Sequence, residues 1–452
     1  MRRPAAFLLL ALVLGAGPAA AGPDVPAPAA SPPRAGAPGP SPASGATPPG
    51  DTVVLGRHHL SLAEVLAHAR ATHPTLRAAA ARYQQAEARV RQSLASNAPN
   101  VYLEISRTES YTQGTGPDSK MQLSPSMNLA YKLYDGDLRN RTVEQKEQDL
   151  LTYEFDWRSK WRDLALVIQQ RYLDVVLRKA LVEVAEENLR MTDDALRYAR
   201  GLVRGGRKSR LDVLQAESEL SGARATWVER LGQLNSAWAS LEASVGAPLN
   251  TYATLDDLLG EETSFPAEGQ AADRALQNRS DLRSLGNQVE VQRLQVKVND
   301  TALNPTIQGV LKYGAVGADF PLVQTWQTSL DLQIPLNVRN QTESRNLEAV
   351  ATGAELEQRA EALCLEIRGN LRADYVDWHA SAERVRITEK QVEEAREAWL
   401  LAERRYRTGI FQFVELTQAR TVLNQARASY EQARSDHRLA AFKLANEMED
   451  VP

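Results

Sequence analysis

The sequence predicts a mixed α and β fold that is written twice, and three observations support this prediction. Residues 137–200 contain neither proline nor glycine, which is typical of one very long helix. Residues 121–134 alternate between apolar and polar side chains, which is the period of a β-strand with two different faces. The motif GRKSRLDVLQAESEL at 206–220 recurs as GIFQFVELTQARTVL at 409–423, which indicates an internal duplication.

The composition excludes several classes of protein. The chain has 452 residues, a formal net charge of −4 and a single cysteine. Its 53 basic and 57 acidic side chains give no electrostatic reason to expect nucleic acid as a partner. One cysteine excludes a disulfide framework within the chain and a Cys-rich metal site. The mean hydropathy of −0.40 excludes a bundle of transmembrane helices.

The first 51 residues are expected to lie outside the fold. Arg2 and Arg3, the apolar run 5–16 and the small residues 19–21 predict an export signal peptide over 1–21. A buried N-terminal helix is the alternative. Residues 22–51 carry ten prolines among Gly, Ala and Ser, so we expect them to form a disordered tether.

The duplication sets the expected domain boundaries. The first repeat covers 52–246, the second covers 271–448, and a segment over 247–270 joins them. Each repeat is expected to hold a helix, two strands, a very long helix, a tight turn and a returning helix. A period a little over 200 residues is too long for a solenoid, whose units have about 20–50 residues.

Six helices are expected, in three pairs: 61–96 and 272–303, 137–200 and 340–407, 211–245 and 414–448. Pro99 and Pro305 end the helices of the first pair. At 1.5 Å per residue, a helix of the second pair would extend roughly 95 Å. Such a helix requires similarly long partners in a coiled coil or a bundle.

Four segments carry the alternation of strands: 100–112, 120–135, 306–316 and 325–338. One interpretation is a soluble sheet packed against a helix. The other is a set of transmembrane strands, apolar toward lipid and polar toward water, each of about 9–11 residues. The export signal favours the membrane, as do aromatic residues near the strand ends, such as Tyr131 and Trp326.

Membrane strands would require more than one chain. Four strands are too few to close a barrel, and an open edge in lipid leaves backbone groups unpaired. Three copies would supply twelve strands and a water-filled lumen. Strand arithmetic alone allows any assembly with eight strands or more.

These motifs together resemble the outer-membrane efflux proteins typified by TolC. The resemblance covers roughly residues 60–448 and rests on the order of LSLAEVLAHARATHPTL, LAYKLYDGDLRNR, GRKSRLDVLQAESEL, NRSDLRSLGNQV and RYRTGIFQFVELTQARTVLNQA. It implies a homotrimer in the bacterial outer membrane, in contact with outer-membrane lipid. A β-barrel with four strands from each chain would continue into a long periplasmic α-helical coiled-coil barrel.

The resemblance also implies a function and partners. Members of this family form the exit duct of a tripartite efflux pump or a type I secretion system. A periplasmic adaptor (membrane fusion) protein joins the duct to an inner-membrane transporter. We therefore expect these partners for this chain.

The resemblance places the channel tip, or gate, at the two hairpin turns. The implied tip residues are Asp212, Glu415, Gln418, Tyr406 and Phe411, and the implied adaptor-docking residues are Gly205, Gly206, Arg207, Gly409 and Ile410. The chain departs from the pattern at Gln418, where members carry a second acidic residue, and at Phe411, where they carry a basic one. An anionic ring is thereby reduced to Glu415, and the first turn is very basic.

Two interpretations of the acidic tip residues remain open. Three copies of Glu415 at a narrow lumen would favour cations. Alternatively, Glu415 and Asp212 simply begin their helices, where a carboxylate meets the positive end of the helix dipole.

No motif points to catalysis, a cofactor or a metal. The segment 201–209 differs from a phosphate-binding loop because Arg207 interrupts it and a helix precedes it. The histidines near the start lack the i,i+4 spacing of a helical metal site. We therefore expect a channel and no enzyme, and a non-channel periplasmic coiled-coil scaffold is the alternative. The cargo, either small toxic compounds or peptides and proteins, stays open.

Overall fold

The computed structural model describes residues 59–110, 120–251, 253–256, 258–260, 264–318, 320–408 and 412–449. The predicted signal peptide over 1–21 and the predicted tether over 22–51 lie outside the described residues. The same holds for Gly409, Ile410 and Phe411 of the second hairpin turn.

The elements follow one order twice. The chain runs through β1 (His59–Leu60), α1 (Leu62–Thr72), α2 (Pro74–Ala95), β2 (Asn100–Ser110), β3 (Lys120–Tyr134), α3 (Leu138–Arg204), α4 (Arg210–Val245), β4 (Thr254–Leu255), α5 (Glu268–Asn278), α6 (Ser280–Asp300), β5 (Thr306–Val316), β6 (Val323–Gln333), α7 (Arg339–Arg407) and α8 (Phe413–Glu447). Two helices, two strands and a long helical hairpin thus recur in each half.

The predicted helix over 61–96 is wrong in one respect, because the structure divides it into α1 and α2. His73 has ψ of 130°, which is extended backbone, and it both ends α1 and precedes α2. Pro74 explains the break, since its ring disfavours helical backbone at the preceding residue and suits the first position of the next helix. Ser61 caps α1 as expected, and its hydroxyl accepts a hydrogen bond from the Glu64 amide at 3.2 Å.

The predicted helix over 272–303 is divided as well, at Arg279. This residue has ψ of 121°, and no proline follows it. Its guanidinium is held by Asp281 at 2.6 Å and by Glu447 at the end of α8. The break therefore coincides with a local ion pair to Asp281 and a tertiary one to Glu447.

Among the described residues, no helix carries an apolar stretch long enough to cross a bilayer.

The four long strands form one antiparallel sheet in the order β2–β3–β5–β6. The predicted last strand, 325–338, is wrong at both ends, because β6 begins at Val323 and ends at Gln333. Pro335 explains the early end, since proline cannot donate a backbone hydrogen bond to a ladder. Ile334, Leu336 and Val338 continue the alternation in sequence without belonging to the strand.

The sheet has one apolar and one polar face, as the alternation predicted. Leu103, Met127, Tyr313 and Trp326 lie opposite one another across all four strands, and all four are exposed. Trp326 and Leu103 are the most exposed, at 76% and 72%.

The opposite face holds polar contacts. Lys312 Nζ lies 3.7 Å from Glu104 Oε2, and Asn128 donates to the same carboxylate oxygen at 3.3 Å. Asn128 is only 2% exposed. The two faces of the sheet are therefore suited to different solvents.

The long helices pack as two hairpins that lie side by side. α3 packs along α4, α7 packs along α8, and α3 also contacts α8. Nearer the sheet, α2, α3, α6 and α7 are neighbours in that order. The side of α7 that faces α8 is buried every seven residues, at Ser381, Thr388, Ala395 and Ala402, which is the spacing of a coiled coil.

The largest buried cluster surrounds Tyr172 of α3. Its hydroxyl donates to the Leu60 carbonyl at 2.7 Å and accepts from the Asp256 amide at 2.9 Å. These bonds lie beside the short parallel pair of β1 and β4. The cluster thus ties the start of the first half to the segment that joins the halves.

Candidate functional site

The ends of the two hairpins meet at one place. Arg207, in the turn between α3 and α4, donates from Nη2 to the carbonyl of Thr408, the residue that ends α7, at 2.7 Å. We call residues 200–212, 404–408 and 412–415 the tip. An apolar cluster beneath it joins α3, α4, α7 and α8: Ala195, Leu196, Ala199, Ala216, Leu220, Ala402, Tyr406, Phe413 and Leu416.

The first turn of the tip is a Schellman motif. The Gly206 amide donates to the Val203 carbonyl at 3.0 Å, and the Arg207 amide donates to the Leu202 carbonyl at 2.9 Å. Gly206 has φ of +69°, the left-handed conformation that this motif requires and that glycine adopts without steric cost. The turn exposes Gly205, Gly206 and Arg207.

The two acidic tip residues begin helices α4 and α8. Asp212 Oδ2 accepts a hydrogen bond from the Ser209 amide at 3.2 Å, and Glu415 Oε2 accepts one from the Gln412 amide at 3.1 Å. Each is the third residue of its helix and part of a capping box. Each carboxylate therefore accepts a hydrogen bond from a backbone amide at the start of its helix, which has no partner within the helix. Asp212 is half-buried and Glu415 is exposed.

Tyr406 is buried completely in the cluster beneath the tip. Its ring meets that of Phe413 edge-on, with centroids 5.9 Å apart, and Lys208 Nζ lies 5.9 Å from its centroid. The hydroxyl is buried without a hydrogen-bond partner among the described residues. Burial, with a smaller contribution from the charge of Asp212, raises the pKa of Tyr406 to about 12. Tyr406 therefore packs the two hairpins together.

The tip is strongly basic. It carries eight basic side chains and two acidic ones: Arg200, Arg204, Arg207, Lys208, Arg210, Arg404, Arg405 and Arg407 against Asp212 and Glu415. All of the basic residues except the half-buried Lys208 are exposed. Arg200 pairs with Glu217 at 2.8 Å, and Arg407 pairs with Glu403 at 2.7 Å.

The structure brings together most of the predicted site residues that it describes. Asp212, Glu415, Tyr406 and Arg207 all lie at the tip. Gln418 lies one turn along α8 from Glu415 and is exposed. Gly409, Ile410 and Phe411 are outside the described residues, so their predicted roles stay predictions.

The sequence analysis missed a row of polar contacts that joins the hairpins above the tip. Arg420 of α8 pairs with Glu219 of α4 at 2.6 Å, and Arg427 of α8 pairs with Glu187 of α3 at 2.5 Å. Arg420 is almost completely buried, and this burial lowers its pKa despite the nearby Glu219. The seven-residue spacing of Arg420 and Arg427 was the available signal, because it places both on one face of α8.

Among the described residues, no three His, Cys, Asp or Glu side chains are grouped so that they could hold a metal ion. The tip thus consists of helix ends, cations and a buried aromatic pair. Such an arrangement can bind or repel charged groups.

Comparison with known sequences gives two matches. The sequence pattern of the family described as "Outer membrane efflux protein" matches residues 65–247 and 271–446. The "Alkaline protease secretion protein AprF" of Pseudomonas aeruginosa is 23% identical over 327 residues, which cover 71% of this chain and 68% of that protein.

Comparison with solved structures shows the same fold. The outer-membrane channel OprN aligns with a TM-score of 0.74 and 18% identity, covering 95% of this chain and 98% of its own. The outer membrane protein VceC from Vibrio cholerae aligns with a TM-score of 0.72 and 17% identity, covering 86% and 96% of the two chains. At these identities the likeness is one of fold.

Proposed function

The chain belongs to the outer membrane efflux protein family, and we propose that three copies of it form the exit duct of a tripartite export system. Family membership places the chain in the outer membrane, in the service of efflux or secretion. The proposal adds the number of copies, the partners and the role of the tip. It includes no catalytic step.

The observation that carries the proposal is the exposed apolar row Leu103–Met127–Tyr313–Trp326. Large apolar side chains exposed across four neighbouring strands are unfavourable in water and favourable against lipid tails. The Glu104–Lys312 pair on the opposite face would then line a wet lumen. Lipid outside and water inside is the arrangement of a transmembrane barrel.

The edges of the sheet support a shared barrel. Within the described residues, β2 and β6 each pair along one side only. Unpaired backbone groups in lipid cost several kcal/mol each. The β6 edge of one copy and the β2 edge of the next would satisfy each other. Two copies would give an eight-stranded barrel filled by its own side chains, so three is the smallest number that leaves a lumen for water.

The helices offer a second contact between copies. An apolar stripe recurs every eleven residues along α7, at Ala354, Leu365, Val376, Ile387 and Ala398, and all five side chains are exposed. Within one chain, α3 and α8 lie between α7 and α4. The far side of α4 would thus meet the stripe of a neighbouring copy. Gly222 and Gly232 of α4, where an added Cβ would meet no atom within 4 Å, allow a close approach.

The partners follow from the position of the tip at the end of the helices remote from the sheet. We propose that a periplasmic adaptor docks on the two turns, at the exposed residues Gly205, Gly206 and Arg207 of the first and at Gly409 and Ile410 of the second. The adaptor would connect the duct to an inner-membrane transporter. AprF is named for the secretion of a protease and the family for efflux, so both kinds of cargo fit the proposal.

For the tip residues, we propose that packing and capping set the shape of the opening. Tyr406 would hold the two hairpins together, while Asp212 and Glu415 would fix the first turns of α4 and α8. Gln418 and Phe411 would lie around the opening without adding charge. The anionic ring implied by the resemblance would be weak here, because Gln418 adds no charge and eight basic side chains lie at the same tip.

The test is extraction of the protein from bacterial membranes with and without detergent, followed by mass measurement. We expect the protein to stay with the outer membrane until detergent is added and to have three times the mass of the mature chain. Insertion of the purified protein into a planar bilayer should produce ion-conducting pores. A protein recovered as a monomer without detergent would favour a soluble periplasmic scaffold and contradict the proposal.

A further inference from the structure

The charge of the tip is opposite to the charge of the whole chain. The tip carries a net charge of +6, although the formal net charge of the chain is −4. Counting Glu217 and Glu403, which pair with Arg200 and Arg407, lowers the value for the tip only to +4. This sum of formal charges therefore stays positive when the acidic partners of Arg200 and Arg407 are included.

The helix dipoles do not change the net positive charge of the tip. Each chain brings the C-termini of α3 and α7 and the N-termini of α4 and α8 to the tip. The partial charges of two C-termini and two N-termini have opposite signs and cancel to a first approximation. Formal charges on side chains therefore decide the sign of the field.

Three of the cationic side chains at the tip are exposed to solvent and, within the part of the chain that the structure describes, unpaired. Arg204, Arg210 and Arg404 are exposed, and none has a side-chain partner among the described residues. At 1.5 Å per residue, the charges on α3 lie within roughly 8 Å of the turn along the helix axis. That distance is similar to the Debye length of about 10 Å at 0.1 M salt, so they act together on an ion at the opening.

We propose that the tip selects anions, so that the duct favours small negatively charged solutes. This inference rests on the proposed function, because it requires the tips of several copies to surround an opening. A positive ring at a narrow opening concentrates anions and repels cations. The remainder of the duct is lined by helices tens of ångströms long, and fixed charge there acts weakly wherever the lumen is wider than the Debye length.

The test measures the reversal potential of the purified full-length protein in a planar bilayer, with KCl at two concentrations near 0.1 M. We expect chloride to be more permeant than potassium, by about threefold or more, and the ratio to fall toward one at 1 M KCl, where the Debye length is about 3 Å. The variant R204E/R210E/R404E should reverse the preference. The neutral variant R204Q/R210Q/R404Q should give an intermediate ratio and adds no new charge that could impair folding.

The matched control is R77E/R82E/R171E, which changes the same charge at three exposed arginines of α2 and α3 away from the tip. Its permeability ratio should equal that of the unaltered protein. A pore that prefers potassium, or tip variants that leave the ratio unchanged, would overturn the inference and leave the basic tip as a docking surface for an acidic protein. Absence of pores in every preparation would instead reject the proposed function, on which the inference depends.

Discussion

Tyr406 shows how one residue of the tip acts. Its side chain is completely buried among residues of α3, α4, α7 and α8, and its hydroxyl has no partner among the described residues. The ring contributes packing, whereas the buried hydroxyl opposes folding slightly. With a tyrosine at this position, the stability of the fold depends on pH in a way that it would not with a phenylalanine.

We expect Tyr406→Phe to remove part of the loss of stability in alkali. The pKa of Tyr406 is about 12 in the folded protein and about 10 in an unfolded chain. Ionisation in the unfolded chain therefore costs no stability below pH 10, and it lowers the stability of the fold progressively as the pH rises from 10 toward 12. Two pKa units correspond to at most about 3 kcal/mol. The difference in the free energy of unfolding between the two proteins, measured from pH 8 to 12, should be constant below pH 10 and should grow above it.

A change in the same cluster without a titrating group provides the control. Phe413→Leu should lower the stability by a similar amount at every pH, because Phe413 packs against Tyr406 and carries no proton to lose. Other tyrosines titrate equally in both proteins and cancel in the comparison. If Tyr406→Phe and the unaltered protein differ equally at pH 8 and pH 12, the hydroxyl of Tyr406 is not the source of the pH dependence.

At the scale of elements, the helical hairpins depend on how each long helix ends. α3 ends in a Schellman motif at Gly205 and Gly206, after which α4 begins with a capping box. These local bonds fix the direction in which the chain returns. They also orient Arg207 toward the second hairpin.

We expect Gly206→Ala to destabilise this turn by about 1–2 kcal/mol, because an L-residue with a Cβ disfavours the left-handed conformation. Gly205→Ala is the matched control, since Gly205 has φ of −82° and an added Cβ would meet its nearest atom at 3.6 Å. Hydrogen exchange of the amides of 203–207 should accelerate in Gly206→Ala and not in Gly205→Ala. Equal exchange rates in the two variants would show that the turn does not require the positive φ of Gly206.

At the scale of the whole molecule, the single chain leaves two apolar surfaces exposed, which are one face of the sheet and the stripe of α7. In the proposed assembly the first would face lipid and the second would pack against a helix of another copy. The residues buried against α8 repeat every seven positions and the exposed stripe repeats every eleven, so the two rows follow different paths along the same helix. The same helix can therefore pack against α8 of its own chain and against a helix of another copy.

We expect Ile387→Lys to weaken the assembly of copies, because it places a charge in the apolar stripe of α7. The mass of the protein in detergent should shift from trimer toward monomer, while the helix content measured by circular dichroism stays the same. Glu389→Lys is the matched control, since Glu389 is exposed and lies about 200° around the helix from Ile387. A trimer that resists Ile387→Lys as well as Glu389→Lys would exclude the stripe as a contact between copies.

The sequence alone determined what depends on local periodicity. The alternation at 121–134 fixed a two-faced strand, and the absence of proline and glycine over 137–200 fixed a long helix, because both patterns act on neighbouring residues. The motif order and the duplication were enough to indicate the family. Pro74 and Pro335 are local signals as well, since proline disfavours helical backbone at the residue before it and cannot donate to a strand ladder.

Only the tertiary structure decided which distant residues meet. The break at Arg279 lies beside an ion pair with Glu447, which is 168 residues away, and the bond from Arg207 to the Thr408 carbonyl joins positions 201 residues apart. Likewise, Tyr406 is buried because four helices converge around it. A sequence pattern states which face of an element is apolar, whereas the packing of whole elements decides what that face contacts.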